Sequence, residues 1–238
     1  MRAITGLSVL VTGGGSGIGA ATAIHLAQAG ARVTISGRRA EALQAVVAQA
    51  GANCHWVAGD VTVAADRTRM VEAAVQHGGG LQGLVNNAAN MLRGPITALD
   101  EEAVVDLFRS NVVAAMMLTG LAVPHLERDG GSVVMVGSVH TKRAYPGASP
   151  YAASKGAIEV LTRVLAAELG ARGITVNCIV PGAVPTELNI RAGLFTAEES
   201  AQRFAALARE HALQRVGRPE EIAEAMEHLL RAPWTTGG

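Results

Sequence analysis

Apolar residues fall along this chain in two alternating rhythms. Short runs rich in Val, Ile and Leu are apolar at successive positions, as strands covered on both faces require. Between them lie alanine-rich stretches whose apolar positions recur every three or four residues, the spacing of one helix face. The runs predict strands over Leu7–Thr12, Arg32–Ser36, Cys54–Ala58, Gly83–Asn86, Ser132–Val136 and Ile174–Cys178. The longer stretches predict helices over Ile18–Ala29, Ala40–Ala50, Ala64–His77, Asp100–Leu107, Ser110–Leu126 and Tyr151–Leu169. Glu187–His211 reads as helical but irregular, and Pro219–Leu230 as a helix opening on a proline, whose absent N–H has no intrahelical acceptor there. Strand and helix in alternation predict an α/β fold, a single-domain Rossmann-type doubly wound parallel sheet with right-handed crossovers. No repeat, low-complexity tract or linker divides residues 1–238.

Composition narrows the function classes. Twenty Lys+Arg balance twenty Asp+Glu, so the basic footprint of a nucleic-acid binder is absent. With 49% hydrophobic and 17% charged residues the chain has the material for a core and is not a disordered polymer. No uninterrupted apolar run reaches the roughly 20 residues of a bilayer span, so no membrane partner is expected. Met1–Gly6 leads straight into the first strand without a signal-peptide pattern, which points to the cytoplasm. Cys54 and Cys178 can pair, but two cysteines make no framework, and free thiols in a reducing compartment are the expectation. No Cys/His spacing suits zinc, so no metal is expected. Only two lysines, Lys142 and Lys155, and two tyrosines, Tyr145 and Tyr151, occur in the chain, so the placing of each is informative.

Between the first strand and first helix stands Thr12-Gly13-Gly14-Gly15-Ser16-Gly17-Ile18-Gly19. Glycines permit a tight turn and close approach to a helix N-terminus, where free N–H groups and the dipole favour a pyrophosphate. No Lys-Ser/Thr follows, so this is not a P-loop. A packing turn without ligand has the same composition. The second strand ends Ile35-Ser36-Gly37-Arg38-Arg39, with no carboxylate to meet a ribose hydroxyl. A guanidinium at Arg38, with Arg39, can fork onto a phosphate and stack on adenine; two arginines opening a solvated helix are the alternative. Tyr151 and Lys155 stand at i and i+4 and share one helix face. A phenol with pKa near 10 is a poor acid–base group at neutral pH, and a neighbouring ammonium is expected to lower it. Ser138 follows the fifth strand at its carboxyl end, where open α/β sheets place ligand chemistry. His140, Lys142 and Arg143 come next; they make either a cationic mouth for an acidic or phosphorylated substrate or a solvated loop.

The spacing T-G-x-x-x-G-I-G, then Asn86-Asn87-Ala88-Ala89, Ser138, Tyr151-x-x-x-Lys155 and Pro181-Gly182-Ala183-Val184-Pro185-Thr186, in that order, resembles the short-chain dehydrogenase/reductase family from Leu7 to about Arg231. The resemblance implies an enzyme that interconverts a ketone and a secondary alcohol by hydride transfer, with 3-oxoacyl-carrier-protein reductases as a natural subclass. Gly37 at the acid's place, followed by Arg38, implies NADP(H) in preference to NAD(H). Gly13, Gly15, Ser16, Gly17, Ile18 and Gly19 are implied at the pyrophosphate, and Asp60 and Val61 at the adenine. Asn87 and Ala88 are also implied at the dinucleotide, as are Tyr151 and Lys155, while Pro181, Gly182, Val184 and Thr186 are implied around the nicotinamide. Ala89 replaces the family's usual glycine and would be strained if that position required positive φ. Tyr151 is implied to move the proton, Lys155 to tune it and Ser138 to orient the reacting oxygen. Asn111 is implied to hold a water for a proton relay, and His140 to line the substrate pocket with Ser138 and Tyr151.

Residues 187–216 match the family's variable substrate lid; Leu188, Ile190, Phe195, Phe204 and Leu207 among Arg191, Arg203 and Arg209 suit a partly apolar small molecule. Arg128 and Arg172 are candidates to dock an acidic carrier. The helices over 110–126 and 151–169 are implied to carry a homodimer or homotetramer. Relatives continue into a seventh strand after a turn such as Trp234-Thr235-Thr236-Gly237-Gly238; here that final strand is missing, and an exposed sheet edge is expected. A different class stays open: an NADP(H)-binding regulatory or structural protein without turnover, marked by a cleft filled with its own side chains.

Overall fold

In the computed structural model, which describes residues 1–238, six parallel strands form one sheet in the order β3-β2-β1-β4-β5-β6. They are β1 (Ser8–Thr12), β2 (Arg32–Gly37), β3 (Cys54–Ala58), β4 (Gly83–Asn86), β5 (Ser132–Val136) and β6 (Thr175–Ile179). Helices α1 (Gly17–Gln28), α2 (Ala40–Ala50), α3 (Ala64–Gly78), α4 (Glu101–Phe108), α5 (Ala114–Leu126), α6 (Ser149–Leu169) and α9 (Pro219–Arg231) cover its two faces, and α7 (Leu188–Arg191) and α8 (Ala197–Glu210) lie between β6 and α9.

The continuous apolarity of the strands follows from this layering. In β1, Val9 and Val11 join the core shared with α1, α2 and α9, while Leu10 joins the opposite core beside α3, α5 and α6. All three are fully buried, at about 1.5–3 kcal/mol for each such side chain. β1 pairs with β2 through Val9↔Val33 and with β4 through Val11↔Val85. Chain order reverses between β1 and β4, which opens a crevice at the carboxyl ends of the strands.

Several expectations are corrected here. The helix predicted over Ser110–Leu126 begins as a π-helical turn, Arg109–Val113, continuous with α4. The resulting rod, Glu101–Leu126, is long and apolar enough by length and mean hydropathy to cross a membrane, although charged residues interrupt its apolar run. In the fold its Leu118, Ala122, Val123 and Leu126 belong to the core beside β4 and β5. The irregular stretch after β6 breaks at Gly193, in the left-handed region at φ 68°. It restarts at a capping box, in which Thr196 Oγ1 accepts from the Glu199 N–H and the Glu199 carboxylate accepts from the Thr196 N–H. The outer edge of β6 is not bare. The Gly237 N–H donates to Val176 O at 2.8 Å, the Cys178 N–H to Gly238 O at 2.7 Å, and the Asn177 amide to Thr235 O at 2.7 Å. Ala89 has no positive φ, so its Cβ brings no backbone strain. Cys54 and Cys178 stand on opposite edge strands of the sheet and are free.

Candidate active site

The carboxyl ends of the strands open onto a cleft of about 620 Å³. At its floor the Thr12 hydroxyl, closing β1, accepts from the Asn87 and Ala88 N–H groups at 3.0 Å each and donates to Val85 O at 3.2 Å. The Asn87 side-chain amide donates to Thr12 O at 2.8 Å and Gly13 O at 3.2 Å. The glycine loop is thereby fastened to the end of β4. Gly13 sits at φ 66°, and a Cβ on it would stand 2.9 Å from Asn87 Nδ2. Gly19 does not line the cleft: a Cβ there would overlap Gly13 O and Asn87 Nδ2, so its role is close packing of α1 on the loop.

Ser16 caps α1 with extended backbone and no side-chain hydrogen bond, and no acid occupies the first turn. The opening N–H groups of α1 therefore have no side-chain acceptor where Gly15, Ser16, Gly17 and Ile18 line the cleft. This leaves a positive helix end facing open space. The segment after β6 crosses over it. Thr186 packs on Gly17, and Pro181 O accepts from the Val139 N–H at 3.0 Å. Pro181, Gly182, Val184 and Thr186 all line the cleft.

Gly37, Arg38, Arg39, Asp60 and Val61 line one end. Asp60 Oδ1 accepts from the Thr62 N–H and hydroxyl at 2.8 Å each, a local turn, and its other oxygen lies 3.9 Å from Arg38. Arg38 keeps its side chain 65% exposed. Arg39 reaches over the mouth to Glu187 at 3.1 Å. Arg191 on α7 joins this end; burial, with Arg39 and Arg38 beside it, holds its guanidinium below the ordinary value against the opposing pull of Glu187.

At the other end Tyr151 and Lys155 descend from the start of α6, both buried. The Lys155 ammonium donates to Val136 O at 2.7 Å and lies 5.7 Å from the centre of the Tyr151 ring. Burial pushes the Tyr151 phenol up to about 12, against the downward pull of the neighbouring Ser138 hydroxyl. The same burial pushes Lys155 down to about 8, with Cys178 opposing. The net direction for the phenol is therefore upward, set by desolvation in this dry pocket. The His140 ring meets Tyr151 edge-on at 5.2 Å and Tyr145 at 4.5 Å, and its Nδ1 lies 3.0 Å from Ser138 Oγ. Burial first, then Arg93 and Arg203, push His140 down to about 4, so it is neutral at pH 7.

Of the three residues the sequence singles out for a cationic mouth, only Arg143 brings charge to the cleft. His140 is uncharged, and Lys142 turns away to Glu159 at 2.6 Å. Arg143 lines the cleft together with Arg203 of the lid segment and with Arg93, which no motif marks. The fourth predicted catalytic residue is Asn111. It is buried in the π-helical turn and does not line the cleft. Its Oδ1 accepts from the Asn90 N–H at 2.7 Å, and its amide donates to Asn90 O at 3.0 Å and Ser154 Oγ at 3.1 Å. Both amide protons are thus spent within the protein, and the side chain ties the loop after β4 to α6.

The remaining predicted residues converge. The glycine loop and the unanswered first turn of α1 fit the pyrophosphate of a dinucleotide, with Arg38 at the same end of the cleft, while Ser138, Tyr151 and Lys155 meet at the opposite end. Comparison with known proteins agrees. A family model, "short chain dehydrogenase", matches residues 8–194. A protein named as a ketoacyl reductase of the granaticin polyketide synthase of Streptomyces violaceoruber is 37% identical over 234 residues, covering 96% of this chain and 91% of that protein. Human dehydrogenase/reductase SDR family member 4 is 38% identical over 240 residues, covering 96% and 83%. A short-chain dehydrogenase/reductase of unknown function from Caenorhabditis elegans, solved with cofactor, superimposes with a TM-score of 0.91 at 27% identity, covering 99% and 93%. The chain belongs to the short-chain dehydrogenase family, and is an oxidoreductase of the nicotinamide-dependent, CH–OH/C=O class.

Proposed function

We propose that this protein is an NADP(H)-dependent oxidoreductase interconverting a ketone and a secondary alcohol, with Ser138, Tyr151 and Lys155 as its catalytic residues. The observation that carries the reading is the meeting of these three side chains at one end of a cleft whose other end holds the glycine loop and Arg38. A bound nicotinamide dinucleotide supplies or accepts the hydride. The Tyr151 phenol, at about 12, keeps its proton at neutral pH and donates it to the substrate oxygen as negative charge develops there. The Ser138 hydroxyl orients that oxygen. The Lys155 ammonium, anchored on Val136 O, stabilises the phenolate left behind. Asn111 acts as a positioning residue: it fixes Ser154, whose hydroxyl donates to Tyr151 O at 2.8 Å.

The preference for NADP(H) is supported by the absence of any carboxylate at Gly37 and by an Arg38 whose only ion pair is long. The cleft is not filled by side chains, which supports turnover over a purely structural or regulatory role. Residues 187–216 serve as the substrate lid: Leu188, Arg203, Phe204 and Leu207 line the cleft. The name of the Streptomyces relative supports a 3-oxoacyl thioester among the substrates. Arg172 is already paired with Glu127 at 2.6 Å, which leaves Arg128 alone of the two arginines expected to dock an acidic carrier. A homodimer is supported by the exposed Val113, Met116, Met117 and Leu121 on α5 and its π turn, and by Val160 and Val164 on α6.

Paired titrations with NADPH and NADH test the reading, followed by turnover of simple ketones. Tight NADPH, weak NADH and ketone reduction are expected, with Arg38→Ala weakening NADPH far more than NADH. Equal affinity for the two dinucleotides would remove the NADP(H) preference, and binding without reduction of any ketone would restore the non-enzymatic reading.

A further inference from the structure

Seven arginines line the cleft, and most have an evident task. Arg38, Arg39 and Arg109 face Asp60, Glu187 and Asp106. Arg191 stands with the first two, and Arg143 is exposed. Arg93 and Arg203 differ. None of the ion pairs in the molecule includes either. Arg93, on the loop after β4, has its Nε buried with no hydrogen-bond acceptor. A buried N–H of a charged group without a partner is costly, and native proteins keep such groups chiefly where something else answers them.

Arg203 reaches the same region from α8, its guanidinium 5.3 Å from the centre of the Phe195 ring, which holds the planar fork in place. The two cations are mutual neighbours: after burial, Arg203 is the main influence holding Arg93 below its ordinary value. Both also act on His140, whose ring touches Tyr151. They therefore stand at the reacting end, away from Arg38. Of the cleft's carboxylates only Glu210, exposed and two turns beyond Arg203 on α8, lacks an ion pair, and it makes none with Arg203. Like charges held together without a protein counterion repel, and an anion entering between them relieves that repulsion and gains forked hydrogen bonds.

We infer that Arg93 and Arg203 form the anion-binding half of the substrate site, so that the preferred substrate is a ketone or secondary alcohol carrying its own oxyanion, such as a carboxylate, phosphate or sulfonate. This rests on the ketone–alcohol reading above and specifies its substrate class. The apolar Phe204 and Leu207, on the same stretch of α8, suit the carbon chain between the two groups.

The test compares 3-oxobutanoate, 4-oxopentanoate and 5-oxohexanoate with their methyl esters as substrates for the protein and for Arg93→Gln and Arg203→Gln. The best acid is expected to exceed its ester in kcat/KM, and each substitution to lower the acid-to-ester ratio by about tenfold or more, as loss of a charge-assisted hydrogen bond implies. Esters equal to or better than every acid, or ratios unmoved by both substitutions, would overturn the inference. So would a loss of NADPH affinity in the variants matching their loss of kcat/KM, since the guanidiniums would then serve the dinucleotide. Calorimetric titration of the same acids into the NADPH complex separates this failure from failure of the activity itself. Arg93-dependent binding of an acid without turnover would leave the anion site standing and remove the reaction. No acid binding and no turnover would overturn both.

Discussion

Moving a phenol and an ammonium into the same dry pocket shifts both toward their neutral forms, and for Tyr151 and Lys155 that outcome decides the chemistry. With the phenol near 12 and the ammonium near 8, the pocket is set to give a proton at neutral pH. Tyr151→Phe should abolish turnover and leave NADPH binding nearly unchanged by fluorescence titration. In the reductive direction the rate should fall as pH rises through about 8, where Lys155 loses the charge that supports the phenolate, and Lys155→Met should erase that inflection. Stability carries the same signature. The folded-state pKa of Lys155 is depressed from 10.5 to about 8, so above about 8 the unfolded chain binds more protons and stability rises with pH, until the raised Cys54 and Cys178 thiols oppose it above about 9 and the raised Tyr151 above about 10. Thermal melts between pH 8 and 9 should move upward, and less so in Lys155→Met. The pairing of these two residues was legible as an i, i+4 spacing; the direction of their titration was not, because burial is a property of the fold.

At the scale of elements, the strands were legible nearly to the residue because burial on both faces leaves a continuous apolar run with sharp ends. The π-helical turn was not, since Ser110–Val113 carries the same apolar spacing whether the turn closes on four residues or five. What identifies it is tertiary: Asn111 spends its amide on Asn90 and Ser154. The break between α7 and α8 was written in Gly193 and in Thr196-x-x-Glu199, while Arg93 sits in a loop with no pattern at all. The glycine loop offers a prediction at this scale. Alanine at Gly19 gains about 1 kcal/mol of intrinsic helix preference, but its Cβ overlaps Gly13 O and Asn87 Nδ2. A backbone oxygen cannot yield as a side chain can, and overpacking of this kind costs about 1–3 kcal/mol or more. Gly19→Ala should lower the melting temperature and weaken dinucleotide binding together.

For the molecule as a whole, the six-strand order places every site residue at one rim of the sheet and leaves the outer faces of α5 and α6 apolar. Val113, Met116, Met117 and Leu121 recur at helical spacing along one face. Met117→Glu should shift sedimentation toward the monomer with little change in the melting temperature of a fully dissociated sample. Lysine scarcity has a practical outcome as well. Amine-selective acylation has only three primary amines to meet: the amino terminus, Lys142 and Lys155. Lys142 is open to reagent beside its carboxylate, whereas Lys155 is enclosed yet, at about 8, unusually rich in the nucleophilic free amine near neutrality. Peptide mapping after brief labelling would therefore report on the cleft through a single peptide, the one containing Lys155, with the Lys142 peptide as an internal standard for reagent dose.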